Sequence, residues 1–186
     1  MRDVFQLERK TVIPREKSYI VSYPYILDYF QSISEFAIRD FVCAAHMVYG
    51  WMPTILDLNP GKLNINLEQG AELLTKARQN GDLSGGDINK LVSLVNNSLV
   101  GASKLLHFTS PNSFAIWDSK IYSFIFEDNP HFYRVNKVSN YLEYLSLLQI
   151  MKRKPKFGAF HRSINAKIGY EVTPFRAIEI VMFLNS

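Results

Sequence analysis

One cysteine, Cys43, stands among 186 residues, which excludes an intrachain disulfide and leaves no set of thiolates for a structural zinc or an iron-sulfur cluster. A reducing compartment fits that usage. Cys43 and His46 lie three apart, a metal-ligand spacing, but no second pair accompanies them, so no metal is expected. No apolar run is long enough to span a bilayer, and MRDVFQLERK lacks the hydrophobic stretch of a secretory leader. The expected location is cytoplasmic, with no membrane partner. Repeats and low-complexity tracts are also missing. Neither sign of charge dominates: 21 Lys and Arg against 17 Asp and Glu give +4, which permits a polyanionic partner without requiring one. What the chain does have is bulk. With 47% hydrophobic residues, 13 Phe and 10 Tyr, it can bury a sizeable core as one globular domain over 1–186, or as two helical lobes flanking a cleft with a break near 81–87.

Most of the pattern is helical. Ser32 and Glu35 form a capping box ahead of a helix expected to run to about Tyr49, with Ile38, Phe41, Val42, Ala45 and Tyr49 as its buried stripe. Gly50 is expected to stop it, and Trp51-Met52-Pro53 to turn a corner. A turn is expected over 59–62. Asn66 then caps a helix through Leu67, Ala71, Leu73, Leu74 and Ala77 to Gly81, and Asp87 caps the next. Ser139 caps a later one, and Thr173-Pro174 opens the last, through Ile178, Val181 and Phe183. Only the N-terminus departs from this: Thr11 to Ile13 and Tyr19 to Tyr23, split by Pro14 and Arg15-Glu16-Lys17, predict short strands or an extended segment. The class is mainly α.

Chemistry concentrates in Leu99 to Phe126, LVGASKLLHFTSPNSFAIWDSKIYSFIF. A short helix carries Lys104, a Thr-Ser-Pro-Asn turn reverses the chain, and Asp118 begins a second helix. The spacing predicts Lys104 in a first helical turn, where the positive end of the dipole lowers an amine's pKa and favours a nucleophile. Solvation beside an acid is the alternative. At an N-cap, one oxygen of Asp118 accepts backbone amides while the other stays free; the alternative is a cap and nothing more. Between Lys152 and Lys167, six basic residues (Lys152, Arg153, Lys154, Lys156, Arg162 and Lys167) meet no acidic one. That segment suits phosphate contacts or a solvated surface.

Gly-Ala-Ser-Lys, a short apolar helix, a turn and then Asp at a helix start resembles the catalytic unit of the helix-hairpin-helix DNA glycosylases, which include endonuclease III and the 8-oxoguanine glycosylases. The resemblance implies a compact multi-helix domain of that fold, acting on double-stranded DNA without a cofactor. Lys104 matches the lysine that attacks the sugar, Asp118 the aspartate that assists base departure, and Asn97 to Gly101 the hairpin. It implies base excision, with AP-lyase activity if the lysine attacks. Trp51, Trp117, His46 and His107 are then candidates for the base pocket, and Gly101, Ser103, Ser119 and Lys120 join the six basic residues as candidate DNA contacts. Trp51 as a packing anchor and His107 as a hydrogen-bonded core residue are the bland alternatives. Two other readings compete: a non-catalytic nucleic-acid-binding helical module and a helical protein-interaction domain. The base and the oligomeric state do not follow from the residues.

Overall fold

The computed structural model describes residues 2–59, 61 and 65–186, and every regular element within them is helical. The chain runs α1 (Val4–Leu7), a 3-10 turn (Glu8–Lys10), α2 (Ser18–Val21), α3 (Tyr23–Gln31), α4 (Ile38–Trp51), α5 (Leu67–Asn80) and α6 (Gly85–Leu94). It continues through α7 (Leu99–Thr109), α8 (Ser119–Phe126), α9 (Phe132–Val135), α10 (Val138–Lys152), α11 (Phe157–Ile168) and α12 (Pro174–Leu184). Among the described residues there is no strand, only one bridge between Leu58 and Val95.

The N-terminal strands expected from the sequence are therefore corrected in part. Ile20 and Tyr23 are buried three apart, a helical interval, and the Ile20 and Val21 N–H groups both donate to the Lys17 carbonyl. Thr11 to Ile13 is extended: Thr11 and Ile13 are buried while Val12 is 83% exposed, but no neighbouring strand pairs with it. Other boundaries shift as well. Ser32 ends α3 rather than opening α4, and α4 starts after Ala37, whose N–H donates to Asp40 at 3.1 Å. Gly50 lies inside α4, which ends at Trp51. Ser84, not Asp87, caps α6, and Asp87 closes the capping box from N3. Asn66 caps α5 as its sequence requires. Of the turn expected over 59–62, Pro60 and Lys62 lie outside the described residues. The break near 81–87 is a short turn between packed helices, tied by Lys76 to Asp87 at 2.7 Å.

Two helices carry the architecture. In α7 every residue except Val100 is buried, and the helix packs on α3, α4, α5 and α6. In α12 the run Phe175 to Met182 is buried, packed on α1, α8, α10 and α11. A single buried cluster from Val4 to Met182 joins both groups. Helices enclosed on all sides should be apolar throughout. Lys104, Arg176 and Glu179 break that rule, and they break it at one place.

Candidate active site

The start of α7 is satisfied from within the chain. Asn96 and Asn97 take left-handed backbone angles (φ 53° and 50°), which asparagine tolerates, and turn the chain into the helix. Ser98 Oγ accepts the Gly101 N–H at 3.1 Å, and Asn136 Oδ1 accepts the Leu99 N–H at 2.7 Å. Gly101 is needed for space, because a Cβ there would meet Tyr49 Oη at 2.1 Å. The Leu99 and Gly101 amides, in the stretch matched to the hairpin, are thus already bonded within the chain.

One turn apart on α7, Ser103 and His107 hold the extended segment that follows the Thr-Ser-Pro-Asn turn. Ser103 Oγ accepts the Trp117 N–H at 3.1 Å, and His107 Nδ1 pairs with the Phe114 carbonyl at 2.8 Å. Between them on the helix stands Lys104. The two anchors therefore fix where Asp118 begins α8 relative to the amine. Asp118 accepts the Ile121 N–H at 2.9 Å through Oδ1, the N-cap its position predicts.

Lys104 and Asp118 both line a partly enclosed cavity of about 210 Å³. Trp51 and Met52 contribute from the end of α4, Ile116 from the extended segment and Tyr19 from α2, while α12 supplies Arg176, Glu179 and Phe183. The amine is the sixth residue of α7, not a first-turn residue, so the dipole argument for its pKa fails. Burial lowers it instead, against the opposing pull of Asp118 and Glu179. Lys104 makes no hydrogen bond or ion pair within 4 Å among the described residues. Burial also pushes Glu179 up to about 7, with Asp118 adding to the shift and Arg176 opposing it. Arg176 pairs with Glu179 through Nη1 and lies over the Tyr23 ring, 4.9 Å from its centroid. Lys104, Arg176 and Glu179, all buried, and the half-buried Asp118 thus meet at one partly enclosed cavity, where charge interactions are stronger than in open water.

No family model, curated protein or solved structure matches this chain. The arrangement must be read from its own chemistry. An amine that burial holds below its ordinary pKa keeps more of its unprotonated, nucleophilic form than a solvated lysine does. A carboxylate beside it can stabilise developing positive charge, and a second carboxyl near neutrality can hold or release a proton.

Of the residues predicted for the base pocket, only Trp51 lines this cavity. His107 is a core residue, held between Tyr23 Oη at 2.8 Å and the Phe114 carbonyl, and burial pushes it down to about 3. Trp117 is enclosed among Tyr122, Tyr141 and Tyr144, with Nε1 donating to the Val135 carbonyl at 2.8 Å. His46 is exposed on α4 outside the cavity. Among the predicted DNA contacts, Gly101 and Ser103 are buried and internally bonded, whereas Ser119 and Lys120 are exposed. Lys120 Nζ lies 4.4 Å from the centre of the Phe183 ring, which lines the cavity.

The basic segment divides. Lys152, Arg153, Lys154 and Arg162 are exposed. Lys156 pairs with Asp3 at 3.1 Å and Lys167 with Glu8 at 2.7 Å, so these two fasten the N-terminal turn to α11. Against the cost of its burial, bonds from Lys167 and Ser163 hold Glu8 below the ordinary carboxylate range. None of the six lines the cavity. Neither a helix long and apolar enough to cross a membrane nor a group of three potential metal ligands occurs among the described residues. In a larger groove of about 830 Å³ beside α4 and α5 the charged wall residues are all exposed, and none of the candidate catalytic, base-pocket or DNA-contact residues lines it.

Sequence reasoning missed Arg176 and Glu179. The signal was present in PFRAIEIVMFL, where two opposite charges three residues apart interrupt an otherwise apolar helix. Such a pair on a buried face needs a partner or a function.

Proposed function

We propose that this chain is a DNA glycosylase that excises a modified base from duplex DNA, with lyase activity carried by Lys104. The observation that carries the reading is the shared cavity: Lys104 from within α7 and Asp118 from the N-cap of α8 line one partly enclosed space that Trp51 also lines. The helix-hairpin-helix glycosylase resemblance supplies the reaction class, and the all-helical architecture is compatible with it. In this reading a nucleotide leaves the stack and its base enters the cavity. The glycosidic bond breaks with its electron pair going to the base. Asp118 stabilises the oxocarbenium-like sugar, and Lys104 in its amine form bonds to C1′ and gives up a proton to the departing base; the nitrogen lone pair then forms the Schiff base as the C1′–O4′ bond breaks, its electron pair going to O4′, which takes a proton from solvent.

Borohydride reduction tests it. Incubation with duplexes carrying modified bases should give a protein-DNA adduct that maps to Lys104 and disappears in Lys104→Met. Adduct formation at another amine would remove Lys104 as the nucleophile.

A further inference from the structure

Residues 1–17 and 152–167 hold 11 of the 21 Lys and Arg but 3 of the 17 Asp and Glu, so these two segments carry +8 and the rest of the chain −4. The fold packs the two segments together. Phe5 meets Phe160 edge-on with ring centres 5.1 Å apart, Arg15 Nε donates to the Lys167 carbonyl at 2.6 Å, and Ser163 Oγ donates to Glu8 at 2.5 Å. Two of the three carboxylates are used inside that contact, Asp3 on Lys156 and Glu8 on Lys167. Arg9 and Lys10, in the 3-10 turn between them, are exposed and make no hydrogen bond or ion pair through their side chains among the described residues. With Lys156 they line an open groove of about 540 Å³ whose other walls are Phe5, Gln6 and Leu7, and no carboxylate lines it. The turn is held at its end, because Thr11 Oγ1 donates to the Leu7 carbonyl and accepts Asn185 Nδ2, both at 2.9 Å. Asn185 follows the last turn of α12, whose Phe183 lines the Lys104 cavity.

We propose that Arg9 and Lys10 bind backbone phosphates of duplex DNA at this groove, a contact surface additional to the exposed part of the Lys152–Lys167 segment. The inference rests on the glycosylase reading for the identity of the polyanion; the segregated charge, the groove and its two uncommitted cations are independent of it. Phosphate contacts fix how a protein sits on a duplex without reading its sequence. A surface tied to the last turn of α12 would therefore set where the strand lies relative to the cavity. The −4 on the rest of the chain repels a duplex and turns the basic segments toward it. A small anion would engage a single point of a charge that extends from the 3-10 turn to α11, whereas a polyanion engages it along its length and releases counterions at each phosphate.

The test is salt-dependent binding of the full chain to an unmodified duplex, which requires no turnover. Arg9→Gln with Lys10→Gln should weaken binding and lower the slope of log K against log salt by roughly 0.9 for each phosphate no longer neutralised. Arg39→Gln with Lys90→Gln removes the same net charge from exposed positions on α4 and α6, and should leave the slope at its native value. An equal fall in both double variants would mean that net charge alone acts, and would overturn the proposal. So would an unchanged slope in the Arg9 and Lys10 variant, no binding of the native chain to the duplex at low salt, or its retention on phosphatidylserine vesicles in preference to the duplex. If Arg9 and Lys10 set the slope but no modified duplex loses a base, only the glycosylase reading fails. If bases are released and the slope does not depend on Arg9 and Lys10, only this inference fails.

Discussion

Lys104 and Glu179 are ionisable groups enclosed by the same walls, and each should report its burial in a measurable way. Lys104 has its aliphatic stem packed in the core and its amine without an ion pair, so its charge bears a desolvation cost that Asp118 and Glu179 only partly offset. Lys104→Met keeps the stem and removes the charge. Its urea midpoint should not fall, while the borohydride adduct is lost. For Glu179 the sign of the pH dependence follows from its raised pKa: about 7 when folded against an ordinary 4.5, so the folded chain binds the extra proton between those values. The contribution is fully present below about pH 4.5 and is lost as pH rises through about 7. Glu179→Gln should flatten that part of the stability profile measured by denaturant titration. His107 acts in the opposite sense, since its pKa is pushed from 6.5 down to about 3, and its contribution is lost as pH falls from 6.5 toward 3. In His107→Gln the acid limb below pH 6.5 should be shallower, even though stability at neutral pH drops.

At the level of elements, α7 shows how a sequence signal and its physical cause can part company. Gly101 resembles a hairpin glycine, yet its place is dictated by the Tyr49 ring, whose hydroxyl donates to the Val95 carbonyl at 3.0 Å. Gly101→Ala should cost about 1–3 kcal/mol in equilibrium unfolding, the penalty of overpacking a closed core. The N-caps at Asn66, Asp118 and Thr173 were legible because a cap is a local contact between a short side chain and an amide two or three residues on. Asp118 beside Lys104 was legible for the same reason, both lying on one helix-turn-helix unit. The surroundings of His107, Trp117 and His46 were not, because which side chains meet the cavity depends on partners outside the local segment, such as Tyr23 for His107 and Val135 for Trp117. Arg176 and Glu179 reach the site only when α12 folds back against α8, an approach that no local pattern encodes.

For the molecule as a whole, the proposed glycosylase activity requires duplex DNA to be held, and the exposed part of the basic segment should carry that binding. Replacing Lys152, Arg153, Lys154 and Arg162 with Gln should weaken binding and lower the slope of log K against log salt by roughly 0.9 for each phosphate that is no longer neutralised. Replacing Lys156 and Lys167 should act on stability through Asp3 and Glu8 and leave the salt slope nearly unchanged. The core that joins α7 to α12 makes the cavity a product of the whole chain, with walls drawn from α2, α4, α7, α8 and α12. Its chemistry is tested most directly by base release from a panel of modified duplexes, comparing the native chain with Asp118→Asn. Asparagine caps a helix about as well as aspartate, so the variant should keep the cap and remain folded, with a cooperative thermal transition. The native chain should release a base, and the folded variant should release none. Release that persists in Asp118→Asn, or its absence from the native chain on every duplex, would contradict the assignment.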